Sequence, residues 1–274
     1  MTKPLILITN DDGIASPGLA AAAAALSPLG DLLIIAPLHQ QTSAARSRPS
    51  KVVNGGLMVS RTIHYENQRW DGYAVDATPA VSVDHGIMEL ADRPVSLAVS
   101  GINYGENVST CVTVSGTVGA ALQAAEYGIP SMAISLEIQD DDYYTHDTST
   151  DFKTAVHFLR YFAERTLNAN LPVDVDVLKI EIPFVADQDT PWVVTRLDRL
   201  MYYQARFSKR EDVYNDPTEL RMTTRKGEFN EQGTDTHALA QGWVSVTPLS
   251  LDLTSRVDMQ KLREMITEED TSRL

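Results

Sequence analysis

Asn10, Asp11 and Asp12 stand between the apolar run Leu5-Ile6-Leu7-Ile8-Thr9 and Gly13. Two adjacent carboxylates therefore sit at the carboxyl end of a segment that reads as a buried strand, where open α/β sheets assemble their ligand sites. Successive residues of a strand point to opposite faces. A strand end opening into a turn with Gly13, Pro17 and Gly18 nevertheless lets both side chains swing onto one hard cation. With no Lys or Arg beside them, the paired aspartates call for a metal. The competing reading makes Asn10 and Asp11 an Asx turn and Asp12 the cap of a helix starting near Pro17.

A second chemistry-bearing stretch reads Ser100-Gly101-Ile102-Asn103-Tyr104-Gly105-Glu106-Asn107, followed by Val114-Ser115-Gly116-Thr117 at the opening of a helix. Its glycines let the backbone approach a ligand closely, and a helix N-terminus with Ser and Thr hydroxyls suits an anion. Plain N-capping by Ser115 is the alternative. The chain holds neither G-x-G-x-x-G nor G-x-x-x-x-G-K-[ST], which argues against nucleoside triphosphate chemistry. His39 and His237 are candidate general acids, and the sequence does not choose between them. Cys111 has no base beside it and reads as a packed or exposed thiol rather than a nucleophile.

Strands alternating with helices must position these groups. Strands are expected at 5–8, 31–36, 95–99, 132–136 and 175–182, with helices over 18–26, 78–90 and 116–127. Residues 39–50 read as a polar loop and 52–62, around Gly55-Gly56, as a hairpin. Thr150 is the expected cap of an amphipathic helix reaching about residue 167. The pattern predicts a parallel, doubly wound sheet covered on both faces, with loops 11–12, 39–47 and 100–117 meeting at its carboxyl edge. Helical periodicity disappears over 192–236, where Tyr202, Tyr203, Phe207, Tyr214 and Phe229 are scattered among charges. That stretch reads as an extended hairpin or arm exchanged between protomers. A returning strand at 243–248 and a short helix over 257–266 close the chain, and Asp140-Asp141-Asp142 reads as a solvated loop. The expected division is a catalytic core over 1–190, an arm over 191–236, and a return to the core over 237–274.

At 274 residues and 43% hydrophobic content the chain supports one main domain. Its formal net charge of -14 disfavours duplex nucleic acid as a partner, and leaves a phosphate-bearing substrate in need of a local cation. The single cysteine and the short N-terminal apolar run point to a cytoplasmic protein with no membrane partner.

Taken in order, Asn-Asp-Asp-Gly-x-x-x-x-Gly at 10–18, Ala36-Pro37, Thr78-Pro79, Ser-Gly-Ile-Asn-x-Gly-x-Asn at 100–107, Ser-Gly-Thr-Val-Gly-Ala-Ala at 115–121, Gly233-Thr234-Asp235 and Val-Ser-Val-Thr-Pro-Leu at 244–249 resemble the SurE family of stationary-phase survival nucleotidases. The resemblance implies a Rossmann-like core with a C-terminal β-hairpin extension, assembled as a homodimer or homotetramer. It also implies a divalent-metal-dependent phosphatase that hydrolyses nucleoside 5'-monophosphates, with one Mg²⁺ or Mn²⁺ per subunit. By motif, Asp11, Asp12, Thr42 and Asn103 would hold the metal, Asp11 and Asp12 would also be catalytic, and Asn107, Ser115, Gly116 and Thr117 would line the phosphate pocket. Two departures stand out: Thr42-Ser43 replaces the family's Ser-Gly, and Thr78-Pro79-Ala80-Val81 lacks the acid of Thr-Pro-x-Asp. A slip of one residue would make Ser43 the hydroxyl ligand. Aspartates, a hydroxyl and an amide oxygen form an all-oxygen set that suits Mg²⁺ or Mn²⁺ and disfavours zinc. Competing functions are a metal-gated nucleotide-binding regulator without catalysis, and a phosphatase of other small phosphomonoesters or polyphosphate. A haloacid-dehalogenase-type enzyme would need Asp-x-Asp, whereas these aspartates are adjacent.

Overall fold

The strand β1 (Leu5–Thr9) is buried along its whole length and serves two apolar layers at once. Ile6 and Ile8 join one cluster, Leu5 and Leu7 another, as period-two alternation requires of a strand covered on both faces. The computed structural model describes residues 3–49, 51, 56–138, 150–225 and 231–267.

From β1 the chain runs through α1 (Pro17–Leu26) to β2 (Asp31–Pro37), then the hairpin β3 (Met58–Tyr65) and β4 (Gln68–Val75), and α2 (Pro79–His85). It continues through β5 (Val95–Tyr104), α3 (Gly116–Glu126), β6 (Ser131–Leu136), α4 (Lys153–Asn168) and β7 (Val177–Ile182). Then come β8 (Trp192–Val194), the pair β9 (Tyr203–Phe207) and β10 (Leu220–Thr224), α5 (Asp235–Ala240), β11 (Val244–Leu249) and α6 (Met259–Thr267). The main described sheet has the order β3-β4-β2-β1-β5-β6-β7-β11-β8. Neighbours from β4 to β7 are all parallel, and β3 and β11 pair antiparallel with β4 and β7 at the two sides. β1 lies between β2, which follows it, and β5, to which the chain later returns. That reversal creates the crevice at the carboxyl ends of β1 and β5.

Helices α1 and α4 cover one face, α2 and α3 the other. The alanine-rich α1 is buried from Gly18 to Leu26 because it is wedged between the sheet and α4. Its small side chains permit that depth, and Arg160 of α4 caps its end by donating to the carbonyls of Ala24 and Ala25 at 3.1 and 3.0 Å. α4 buries Ala155, Phe158, Leu159, Phe162, Ala163 and Thr166, a stripe at three- and four-residue spacing. Among the described residues no helix is long and apolar enough to cross a membrane.

Several sequence expectations are corrected. Strand β5 runs on to Tyr104, so Asn103 stands on a strand end instead of within a loop over 100–113. The hairpin expected over 52–62 is displaced along the chain: Met58–Tyr65 pairs with Gln68–Val75 and the turn is at Glu66-Asn67, because the outer strand is largely exposed and alternates too weakly to mark its ends. Residues 52–55, like Asp140-Asp141-Asp142, lie outside the described residues. Thr150 does not cap α4: Phe152 occupies the N-cap position, and Asp151 accepts from the Lys153 amide at 2.9 Å. Within the stretch expected as an arm, Trp192–Val194 pairs with β11 in the main sheet, and Tyr203–Phe207 and Leu220–Thr224 form a separate antiparallel hairpin.

Gly18 meets the carbonyl oxygen of Ile102 so closely that an added Cβ would lie 2.0 Å from it. A Gly-to-Ala change in a helix ordinarily gains up to about 1 kcal/mol. Here the sign reverses: Gly18→Ala is expected to cost about 1–3 kcal/mol through overpacking, read as a fall of several degrees in Tm. An unchanged or raised Tm would show that α1 does not rest on the β5 backbone.

Candidate functional site

Asp11 and Asp12 extend from the end of β1 into the crevice and are 5% and 3% exposed, so both carboxylates are withdrawn from water. Asn10 holds the turn open from below: its side chain donates to the carbonyl of Gly13 and accepts from the Gly13 amide, each at 3.1 Å. This is the expected Asx-type turn at Asn10. Asp12 does not cap α1, whose N-cap position belongs to Ser16.

Asp11 lies against the N-terminus of α3. Thr117 donates its hydroxyl to Asp11 Oδ1 at 2.5 Å. The same Thr117 Oγ1 lies 3.0 Å from Asn103 Oδ1. Asn103 donates its Nδ2 to the carbonyls of Tyr104 and Gly105 at 3.0 and 2.7 Å, which turns its oxygen toward Thr117 and Asp11. Asp12 accepts from the Gln40 side chain at 3.1 Å and from the Tyr104 amide at 3.3 Å. A Thr hydroxyl has one proton for two acceptors, so oxygen lone pairs outnumber donors here. Burial raises the Asp11 carboxyl above its ordinary value, against the pull of Thr117 and the Gly116 amide. Asp12 is pushed well up, first by burial and then by the charge of Asp11. Two buried carboxylates and an amide oxygen turned to one another fit a hard cation, which would reverse that penalty. Among the described residues no three His, Cys, Asp or Glu side chains gather as a metal group.

Glycine is required at 116, because an added Cβ would lie 2.6 Å from Asp11 Cβ and 2.7 Å from its Oδ2. Ser115 caps α3 by accepting the Val118 amide at 3.1 Å, the capping role weighed for it from sequence. Thr117, expected at the phosphate, is fully buried with its hydroxyl on Asp11 and Asn103. Asn107 is half-buried and donates its side chain to Ser135 Oγ at 3.1 Å.

The loop after β2 is laid over this niche. The Gln41 amide donates to the Asp11 carbonyl at 2.7 Å and the Ala45 amide to Val114 at 3.0 Å. Arg46 anchors it to α3 through Gln123 Oε1 at 2.8 Å and through Glu126. Gly119 allows the contact, since a Cβ there would stand 2.2 Å from the Ala45 carbonyl oxygen. Thr42 and Ser43 are exposed at the lip, and no hydrogen bond joins either to the aspartates among the described residues. Ser43 sits at φ 63, the left-handed conformation that favours glycine, which accounts physically for a Ser-Gly pattern at this turn. His39 is exposed, and its backbone lies where a Cβ on Gly13 would meet it at 3.2 Å. His237 is on α5, edge-on to Trp243 with ring centroids 6.3 Å apart. Burial pushes the Cys111 thiol up, which keeps it protonated and poor as a nucleophile.

Reading the sequence missed a second group of buried charges behind the site. Lys179, Glu181 and Asp235 have fully buried side chains, with Lys179 Nζ 3.4 Å from Glu181 and 3.1 Å from Asp235. The available signal was two charges at i and i+2 inside the apolar run Val-Leu-Lys-Ile-Glu-Ile.

A family model described as "Survival protein SurE" matches residues 6–204. The 5'-nucleotidase SurE of Thermococcus gammatolerans is 39% identical over 266 residues, spanning 95% of each chain. That of Archaeoglobus fulgidus is 41% identical over 265 residues, spanning 92% of this chain and 94% of its own. The crystal structure of the SurE protein from Aquifex aeolicus superposes with a TM-score of 0.75 at 30% identity, covering 96% of this chain and all 100% of that one. Sequence and architecture thus agree over nearly the whole length, and the chain belongs to the SurE family.

Proposed function

We propose that this chain is a divalent-metal-dependent phosphatase that hydrolyses nucleoside 5'-monophosphates to nucleoside and phosphate. The observation that carries the reading is the acceptor-rich niche of Asp11, Asp12 and Asn103 against the N-terminus of α3, in a chain whose relatives bear the name 5'-nucleotidase. Asp11, Asp12, Asn103 and the Thr42 hydroxyl would hold one Mg²⁺ or Mn²⁺ per subunit. Such an ion neutralises phosphoryl oxygens and acidifies a bound water. Asp11 or Asp12 orients the attacking water. Asn107 and the Ser115 hydroxyl receive the phosphoryl oxygens beside Gly116, at the N-terminus of α3, where the helix dipole favours negative charge; the Gly116 and Thr117 amides serve Asp11 instead. Thr117 supports this indirectly by fixing Asp11 and Asn103. Water adds to phosphorus, the bond to the 5' oxygen breaks, and that oxygen takes a proton from His39 or His237.

Turnover of a nucleoside 5'-monophosphate should require Mn²⁺ or Mg²⁺ and vanish with EDTA. Asp11→Asn and Asp12→Asn should each lower it by about a hundredfold or more, because each removes an anionic ligand. Folded, nucleotide-binding parent protein without turnover would establish the regulator instead, and unchanged rates in both variants would remove the aspartates from the site. In the overlying loop, Thr42→Ser should keep activity while Thr42→Val, which preserves shape and deletes the oxygen, should lose most of it. Ser43→Gly should raise stability by about 1 kcal/mol by relieving the left-handed residue. If Ser43→Ala is the damaging change, Ser43 is the hydroxyl ligand.

The hairpin β9–β10 exposes Phe207, Tyr214, Leu220 and Met222 at 67%, 93%, 56% and 51%. Apolar surface of that kind marks an interface, here with a second copy of this chain. Deleting residues 211–219 should weaken a dimer or tetramer in sedimentation while leaving the Mn²⁺ requirement intact. A parent protein monomeric at micromolar concentration would overturn this.

A further inference from the structure

Behind the proposed phosphate pocket, the turn over residues 106–109 takes its shape from side chains rather than from a helix or sheet ladder. The Asn107 amide donates to Glu181 Oε2 at 2.9 Å, and the Ser109 amide to Asp235 Oδ2, also at 2.9 Å. Tyr202 donates to Glu106 Oε1 at 2.7 Å and Tyr203 to the Glu106 carbonyl at 3.0 Å. Lys179 stands between the two acids, and all three side chains are fully buried. Ser109 itself is held at φ 61, a left-handed conformation that needs outside support in a non-glycine residue.

A buried ion pair is a poor stability device, because apolar residues of the same volume usually do as well. Charged acceptors do offer something apolar residues cannot, namely strong directional bonds to chosen main-chain amides. Here the amides chosen are those of alternate residues in the turn that bears Asn107. We propose that Glu181, braced by Lys179 and seconded by Asp235, is a positioning residue that presents Asn107 to the phosphoryl group. The inference rests on the phosphatase reading above for the identity of the ligand. Among the described residues Glu181 shares no hydrogen bond with Asp11, Asp12, Thr42 or Asn103, and it acts through the Asn107 backbone.

The groups facing Glu181 are Lys179 on its own strand, Asp235 at the start of α5 and Glu106 in the turn. Burial, partly offset by Lys179 and the Asn107 amide and reinforced by Asp235 and Glu106, pushes its carboxyl up to about 7. The brace is therefore anionic and strongest above that pH, and weakens as Glu181 gains a proton below it.

The test compares the full-length parent with Glu181→Gln, which keeps the size and one oxygen acceptor, and Glu181→Leu, which keeps neither charge nor acceptor. With Mn²⁺ at pH 8, KM for a nucleoside 5'-monophosphate and Ki for inorganic phosphate should rise about threefold in Gln and about tenfold in Leu, as expected for weakening and then deleting a charge-assisted bond. The value of kcat at saturation and the Mn²⁺ concentration for half activity should stay within about twofold of the parent, because Asp11, Asp12 and Asn103 keep their own partners. The ratio of KM between Glu181→Gln and parent should shrink toward one between pH 8 and pH 6, as the parent carboxyl itself becomes neutral. A merely structural role would not produce that convergence. Parental KM and Ki in both variants at pH 8, a loss confined to kcat, or a ratio constant with pH would each overturn the proposal. Should Glu181→Leu fail to fold, KM and Ki of Glu181→Gln at pH 8 decide, and parental values there overturn the proposal. An inactive parent would sink the phosphatase reading, and binding of inorganic phosphate to the Mn²⁺-loaded proteins by calorimetry would still judge Glu181.

Discussion

Burying two adjacent carboxylates at one strand end is the constraint on which this structure turns. Like charges so close, and almost removed from water, repel each other and lose their hydration. The surrounding elements supply what partial relief a protein can. The N-terminus of α3 is brought against Asp11, the Thr117 hydroxyl is committed to it, and Gln40 and the Tyr104 amide serve Asp12. No salt bridge from Lys or Arg reaches either acid among the described residues, so the compensation stops short of neutrality. A buried acidic pair left short of positive charge in this way fits a hard cation, which would relieve it.

That compression depends on bare backbone at three contacts. Gly116 lets the Asp11 carboxylate rest on the first turn of α3, Gly119 lets the loop after β2 lie across the same helix, and Gly18 lets α1 sink onto β5. Each glycine joins two elements whose relative placement fixes a residue of the candidate site. Rigid elements hold the aspartates and Asn103, whereas the Thr42 hydroxyl rides on an exposed loop with left-handed residues at Ser43 and Ala45. Arg46 compensates by clamping that loop to α3 through Gln123 and Glu126.

A second buried charge group, Lys179 with Glu181 and Asp235, ties the inner part of the site to the base of the C-terminal hairpin. Asp235 accepts the amides of Ser109 and Asp198, and Ser109 Oγ reaches the Leu200 carbonyl, so residues 198–203 and 106–109 share partners. Tyr202 and Tyr203 complete the joint through Glu106. The two tyrosines are thereby packing residues beside the turn over 106–109, while apolar side chains farther along the hairpin are exposed.

Much of the fold and part of the site were legible in the order of residues. The continuous apolar run at 5–8, the alanine-rich 17–26 and the Thr78-Pro79 helix start depend on neighbours in sequence, and local geometry expresses them directly. The motif Asp11-Asp12 was legible for the same reason, since a strand end and its turn are adjacent in the chain. Asn103 was identified from its motif but placed in a loop, because a strand ending in Gly-Ile-Asn-Tyr gives no local sign that β6 continues to pair with it through Tyr104. The hairpin expected over 52–62 lies instead over 58–75, because an exposed edge lacks the alternation that would mark its strands. Lys179 and Glu181 looked like ordinary strand residues until Asp235, far along the chain, was seen to close on them. The sequence by itself determined which groups carry charge and where strands must end. Only the tertiary structure decided which charges share a buried space, because that depends on contacts between residues tens to more than a hundred positions apart, such as Thr117 with Asp11 and Asp235 with Ser109.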